Sequence, residues 1–217
     1  MVKKIEYLII IALSVMIFFY SFIDVAIYDN NTQESTGVFS PIVPQNELVQ
    51  ELHFDTKTTV DAIAVQFATY ASVKTNHNIV SIYKNGEKHF EKELPSVEVA
   101  DNHFLSFPVH LSLSSGDTLT IKITSPDGTA GNAITAWIKP AKFQGNLYSY
   151  NSETDVYQKV DGELSLKLYT EKNIGDAFRT RGHISFKLSS AIFIAYCIAV
   201  YLLFLKTLNL DLQGDHS

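Results

Sequence analysis

Glu91 and Glu93 come closest to a catalytic pattern in this sequence, because alternate residues of a β-strand project from the same face. Two carboxylates on one face are the groups that a glycosidase uses. Their segment, EKHFEKEL, is however dense in charge, which is typical of a solvated edge strand that resists pairing with other chains. We therefore predict a surface role for these carboxylates, no catalytic residues, and a protein that is not an enzyme.

Motifs for nucleophiles, phosphates and metals are also missing from the sequence. It contains no G-x-S-x-G, P-loop, H-E-x-x-H or C-x-x-C pattern. Among its seven histidines only His103 and His110 are close, and their spacing fits no standard metal site. Asp101 with Asn102, or Asp117, carries oxygen ligands that suit a structural calcium ion, although turn formation also explains these residues and is favoured. We predict no cofactor and no metal site.

Trp137, the only tryptophan, points to sugar binding instead. In the segment NAITAWIK, alternation predicts that Ile134, Ala136 and Ile138 face the core. The same alternation turns Thr135, Trp137 and Lys139 outward. An outward indole can stack on the C–H face of a sugar, whereas the structural alternative is that it packs under a loop.

Three further residues join Trp137 in the candidate glycan site. Tyr148 and Tyr150 share one face of the strand GNLYSYN, and Gln66 lies on the alanine-lined face of TVDAIAVQFATY. Rings can stack on sugars, and an amide can bond their hydroxyls. The structural alternatives are that the tyrosines cap one end of the domain and that the alanines lie under a second layer.

Charge and cysteine content narrow the classes of partner and fold. The 217-residue chain has a formal net charge of −6 and no basic stripe, which argues against nucleic acid as a partner. The single cysteine, Cys197, excludes an intramolecular disulfide framework.

Two apolar runs predict membrane spans at either end of the sequence. Tyr7–Ile23, extended to Ile5–Ile27, and Leu188–Leu205 each approach the roughly 20 residues that cross a bilayer. A signal peptide is the alternative for the first run, but no small-x-small cleavage site follows it. We predict an uncleaved N-terminal anchor over residues 1–27 and a C-terminal transmembrane helix over 179–206.

Lysines near the ends of these runs predict the orientation. Lys3 and Lys4 precede the first run and Lys206 follows the second, which favours both termini inside the cytoplasm. The domain of residues 28–178 then lies outside the cell membrane, and residues 207–217 form a short cytoplasmic tail. A long folded domain translocates largely regardless of its charge, so basic residues on its side of the second run do not overturn this orientation.

A basic cluster before the second predicted span indicates phosphate contact. Arg179, Arg181 and Lys187 fall where lipid headgroups would lie. The same side chains suit the phosphate of a polyprenyl-linked glycan, because the planar fork of arginine matches phosphate oxygens. We predict lipid or polyprenyl-phosphate contact for these three residues, with membrane lipids as partners.

Period-two alternation with frequent turn signals predicts an all-β domain between the spans. Asn85-Gly86 is the clearest signal, because it supplies the two positive-φ positions of a type I′ hairpin turn. About nine short strands without helical periodicity predict a jelly-roll-type antiparallel β-sandwich flanked by two transmembrane α-helices.

An ordered series of segments over Leu48–Thr170 supports this fold: VDAIAVQFATY, ADNHFLSFPVHLSLSSGDTLTIKITSP, AITAWI, FQGNLYSYN and ELSLKLYT. The series resembles the jelly-roll, carbohydrate-binding-module-like ectodomains of bacterial membrane proteins in surface-polysaccharide assembly. The resemblance implies a partner that is a multi-span glycosyltransferase or another glycan-assembly protein. This chain has only two predicted spans and no transferase body, which points to an accessory subunit.

Two functions are compatible with these observations. The first is an accessory protein that binds or positions a cell-surface glycan or lipid-linked oligosaccharide for partner enzymes. The alternative is a structural subunit of an envelope complex that docks protein partners and binds no sugar.

Overall fold

The computed structural model describes residues 22–30, 37–141 and 145–173. The chain divides into two compact units, Ala26–Thr170 and the combination of Met1–Val25 with Glu171–Ser217. Of the second unit the structure describes only residues 22–25 and 171–173, and all of these are in strands.

The described residues form thirteen strands and one short 3-10 helix, Ser96–Glu98. The strands are β1 Phe22–Asp29, β2 Gly37–Val38, β3 Glu47–His53, β4 Thr58–Ala68, β5 His77–Lys84, β6 Glu87–Pro95, β7 Phe104–Leu113, β8 Thr118–Thr124, β9 Thr135–Lys139, β10 Gly145–Asn151, β11 Val156–Val160, β12 Glu163–Leu164 and β13 Leu166–Asn173.

The strands assemble into two sheets. One has six strands in the order β11-β10-β3-β8-β5-β6. The other has seven, with β1-β13-β4-β9-β12 in order, β2 pairing with β9, and β7 pairing with β4. Antiparallel pairing runs through both sheets. The prediction of an all-β antiparallel sandwich is therefore confirmed.

Alternating apolar residues on the facing sides of the two sheets form the core. In β4 the side chains of Ile63, Val65 and Phe67 are fully buried. In β8 of the other sheet, Leu119, Ile121 and Ile123 are fully buried as well. Residues from both sheets belong to one hydrophobic cluster, which is the arrangement that holds two packed sheets together.

A buried glutamine connects the two sheets across this core. Gln50 lies in β3 and is only 1% exposed. Its Oε1 accepts a hydrogen bond of 2.9 Å from the backbone N–H of Leu164, which belongs to β12 of the opposite sheet. Its Nε2 donates to the carbonyl of Asn146 at 3.3 Å and to that of Glu51 at 2.9 Å. One side chain therefore satisfies polar backbone groups in both sheets.

The β5–β6 hairpin has the turn that its sequence predicts. Asn85 and Gly86 connect the two strands with φ values of 51° and 83°. Asn85 also bonds the turn between β7 and β8, because its Nδ2 donates to Asp117 Oδ1 at 2.8 Å and its Oδ1 accepts from Thr118 N at 2.9 Å. The two-residue turn with positive φ at both positions is confirmed.

We expect Gly86→Val to destabilise the full-length chain by about 1 kcal/mol or more, because β-branched residues resist positive φ. A Cβ at Gly86 would meet no atom within 4 Å, so the effect comes from the backbone alone. Gly131→Val is the matched control, because Gly131 also has open space and lacks a positive φ. Thermal unfolding of both variants is the measurement, and equal melting temperatures would contradict the backbone explanation.

The structure differs from the sequence predictions in three strands. Residues 22–27, assigned to the end of the N-terminal anchor, belong to β1 and are strand rather than helix. An apolar run by itself does not distinguish the two conformations. The short β2 and the exposed β11 were not predicted, because neither has buried residues that alternate.

Both predicted membrane spans lie mostly or wholly outside the described residues. The structure describes neither the part of the first predicted span before Phe22 nor any residue of Leu188–Leu205. Within residues 22–30, 37–141 and 145–173, no helix is both long enough and apolar enough to cross a membrane.

Candidate functional site

Two loops meet at one end of the sandwich through the carboxylate of Asp101. This residue lies in the loop between β6 and β7, and its Oδ1 accepts a 2.6 Å hydrogen bond from the backbone N–H of Thr69, just after β4. The N–H groups of Thr69, Ala71 and Tyr70 together lower the pKa of Asp101, because they stabilise its charged form. The ionised carboxylate therefore anchors the loop that carries Tyr70.

Asn102 connects these loops to Trp137 in β9. The indole Nε1 donates a 2.7 Å hydrogen bond to Asn102 Oδ1, and Asn102 Nδ2 donates to Asp101 Oδ2 at 3.0 Å. Asn102 has a φ of 61°, a conformation that asparagine tolerates better than most residues. The orientation of the Trp137 ring is therefore fixed by a side chain that is itself held in place.

An open pocket of about 310 Å³ lies against the Trp137 ring. Its lining consists of Gly37, Val38, Ala68, Tyr70, Asp101, Asn102 and Trp137. This volume is at the lower end of the range for ligand pockets and suits one sugar residue. The pocket combines two aromatic side chains with a few polar groups, which is the composition that carbohydrate recognition requires.

Tyr70 is displayed at this pocket in an unfavourable backbone conformation. Its φ is 57° and that of Ala71 is 52°. Both values lie in the left-handed region, where a residue with a Cβ is less stable by about 1–2 kcal/mol of conformational free energy. The Tyr70 side chain is nevertheless 56% exposed, so burial does not offset this loss. Strain that holds an exposed aromatic ring beside a pocket points to a role in binding.

The predicted outward direction of Trp137 agrees with the structure, but its neighbours in β9 are covered. Thr135 is fully buried and its hydroxyl donates to the carbonyl of Phe39, in the segment that follows β2. Lys139 is 6% exposed and lies in register with Glu163 of β12. The expectation that Thr135 and Lys139 face solvent was wrong, because both are buried, Thr135 against the segment that follows β2.

Gln66 lies behind the pocket and not in its lining. Its Nε2 donates to the backbone carbonyl of Asn102 at 3.1 Å, and its Oε1 accepts from Ser165 Oγ at 2.8 Å. The amide therefore links the Asn102 loop to Ser165, between β12 and β13, and Gln66 positions Asn102.

Tyr148 and Tyr150 lie on the other outer surface of the sandwich. They alternate in β10 with Leu147, which is fully buried in the core, so both point outward from the six-stranded sheet. Trp137 points outward from the seven-stranded sheet by the same reasoning. The structure therefore separates these tyrosines from the tryptophan.

The ring of Tyr150 is covered on both faces. Tyr157 of β11 stacks on it with ring centres 4.4 Å apart, and Lys122 Nζ of β8 lies 4.5 Å from its centre. In the sheet, β11 borders β10 on one side, and β8 lies on its other side, beyond β3. Tyr150 therefore has no open face for a sugar, whereas Tyr148 meets Tyr157 only edge to face, at 6.0 Å.

Lys122 is held in this cluster by a buried carboxylate. Its Nζ lies 3.2 Å from Glu47 Oε2, although the geometry is that of an ion pair and not of a hydrogen bond. The tyrosine cluster is thus fixed by stacking and charge, which are the interactions of a structural patch.

Glu91 and Asp117, two further candidates, are each bonded by neighbouring side chains. Lys88 and Ser81 donate to Glu91 and lower its pKa, the opposite of what a general acid requires. Asp117 accepts from Asn85 and from the N–H of Ser114, which lower its pKa to about 2 and place it in a turn. Among the residues the structure describes, no three metal-ligating side chains converge.

Arg179, Arg181 and Lys187 lie outside the described residues, so their predicted phosphate contact stays a prediction. The sequence interpretation missed Tyr70 as a pocket residue and treated Asn102 only as a turn or calcium candidate. The sequence signals available for them were a tyrosine directly after an alternating strand and an Asp-Asn pair directly before one.

No protein-family model matches the chain, and no curated protein shows significant sequence similarity to it.

Proposed function

We propose that this chain is a membrane-anchored accessory protein without catalytic activity. Its extracytoplasmic, jelly-roll-type β-sandwich binds or positions a cell-surface glycan or lipid-linked oligosaccharide for partner glycan-assembly enzymes. The single observation that carries the proposal is the pocket at Trp137, where Asn102 fixes the indole and the strained loop displays Tyr70. A fixed aromatic platform binds a sugar at little loss of conformational entropy.

The proposed setting follows from the sequence at both ends. The two apolar runs anchor the chain in the cell membrane with both termini inside, and Arg179, Arg181 and Lys187 contact lipid or polyprenyl phosphate. The partner in this proposal is a multi-span glycosyltransferase or another glycan-assembly protein, as the resemblance over Leu48–Thr170 implies.

The test is a titration of the full-length chain, in lipid nanodiscs, with the envelope polysaccharide of the organism that encodes it. Trp137 is the only tryptophan, so its fluorescence reports directly on the pocket. We expect a saturable fluorescence change and measurable heat with a Kd between micromolar and millimolar, about 4 to 8 kcal/mol of binding free energy. A storage polysaccharide of similar length that is unrelated to the envelope is the control.

Absence of both heat and fluorescence change at millimolar repeat-unit concentration, with the domain folded, would overturn glycan binding. Equal signals from the control polysaccharide would overturn it as well, because they would show non-specific association.

One observation favours the alternative, a subunit that docks protein partners. The two edges of the six-stranded sheet differ, because β6 carries charged side chains along its length whereas β11 exposes Val156 and Tyr157, each 55% exposed. An edge strand with few charges can add a strand from another protein. A failed glycan titration would make this second function the preferred one.

A further inference from the structure

The wall of the Trp137 pocket is more apolar than a sugar that carries only hydroxyl groups requires. Val38, Ala68 and the indole line it, and Gly37 adds no side chain. A hydroxyl placed against these groups would lose its hydrogen bonds to water without forming others. A ligand group that fits this wall therefore ends in a methyl.

The groups in the pocket that are free to bond a ligand are donors. Trp137 Nε1 is already bonded to Asn102 Oδ1, and one N–H of Asn102 Nδ2 is bonded to Asp101. The second N–H of that amide is available, as is the Tyr70 hydroxyl, which bonds no other residue in the described part of the chain. Two donors at the rim of an apolar pocket suit a carbonyl oxygen.

Charge in the pocket selects against anionic sugars. Asp101 lines it, and the lining residues that the structure describes include neither lysine nor arginine. Asp101 stays ionised at neutral pH, because the backbone N–H groups that it accepts lower its pKa. A uronate or a phosphorylated sugar would therefore meet a negative charge without a compensating cation.

We infer that the pocket recognises the acetamido group of an uncharged N-acetylhexosamine residue, an inference that rests on the glycan binding proposed above. The methyl lies against Val38, Ala68 and Trp137, and the carbonyl oxygen accepts from Asn102 and Tyr70. The sugar ring stacks on the indole. The methyl and the carbonyl of the acetamido group thus each have a complementary partner in the pocket.

Two trisaccharides with the same β-1,4-linked backbone test this inference. Tri-N-acetylchitotriose carries an acetamido group at C2 of each ring, where cellotriose carries a hydroxyl. Both are titrated into the full-length chain in nanodiscs by calorimetry and Trp137 fluorescence. We expect the acetylated trimer to bind at least tenfold more tightly.

Tyr70→Phe is the matching variant, because it removes one donor from an exposed side chain and leaves the fold intact. We expect it to weaken binding of the acetylated trimer about threefold and to leave cellotriose unaffected. Asn102→Asp keeps the acceptor for Trp137 but removes the N–H donor. It should reduce the preference for the acetylated trimer over cellotriose further.

The outcomes separate this inference from the proposed function. Equal binding of both trimers, or binding of the envelope polysaccharide with neither trimer, would overturn acetamido recognition and leave glycan binding in place. Failure of both trimers and the envelope polysaccharide would overturn both proposals.

Discussion

Trp137→Ala is expected to weaken glycan binding by at least about thirtyfold, which corresponds to about 2 kcal/mol. The indole supplies the flat contact area of the pocket, and its hydrogen bond to Asn102 fixes the ring before a ligand arrives. Truncation removes both the stacking surface and the advantage of prior orientation. For a ligand with a Kd near one millimolar, calorimetry should then detect no binding.

The matched control is Tyr148→Ala, an aromatic truncation on the opposite outer surface of the sandwich. We expect this variant to bind within threefold of the unaltered protein. Because Trp137 is half-buried, circular dichroism must show that Trp137→Ala is folded. Tyr70→Ala provides a second test at an exposed residue, with an expected loss of five- to tenfold. A folded Trp137→Ala variant that binds normally would contradict the assignment of the site.

Gln50→Leu is expected to lower the free energy of unfolding by about 2–3 kcal/mol, although leucine is the more hydrophobic side chain. The substitution leaves the N–H of Leu164 and the carbonyl of Asn146 without the partner that Gln50 provides. Each buried backbone group that lacks a hydrogen bond lowers the free energy of unfolding by about 1–3 kcal/mol. The favourable burial of the apolar leucine side chain offsets only part of this loss.

The control for this prediction is Gln158→Leu, the same chemical change in the exposed strand β11. The Gln158 side chain bonds no other side chain or backbone group among the described residues, so we expect a change within about 0.5 kcal/mol. Urea unfolding of the full-length variants in detergent, followed by circular dichroism, is the measurement. Equal midpoints for the two variants would show that Gln50 does not contribute to the contact between the sheets.

The hairpin and the long strands were predictable because their signals are local. Asn85-Gly86 specifies its turn through the φ preferences of two adjacent residues. The alternation in β4 specifies which side chains are buried, because one sheet face meets the core. The strand β1 was not predictable in this way, because its apolar composition also fits a membrane helix.

The site was predictable only in part, because it depends on which loops meet. The alternation in β9 predicted that Trp137 points outward, and the structure agrees. Its partner Asn102 lies 35 residues earlier in the chain. Thr69, in the loop that carries Tyr70, lies 32 residues before Asp101, which anchors that loop. No local pattern states that these segments converge. Tyr148 appeared close to Trp137 along the sequence, but the chain changes sheets between them.

The pairing of β4 with β13 has a consequence for how the domain reaches its native state. Val65 pairs with Leu166, so the centre of the seven-stranded sheet joins residues about one hundred positions apart. Contacts of such separation make folding slow, because a long loop must close before the contacts that stabilise it exist. During synthesis one edge of β4 therefore stays unpaired until almost the whole domain has emerged. A partly emerged chain with an unpaired strand edge is exposed to aggregation throughout that interval, and the charged edge strand β6 protects the part that has already emerged.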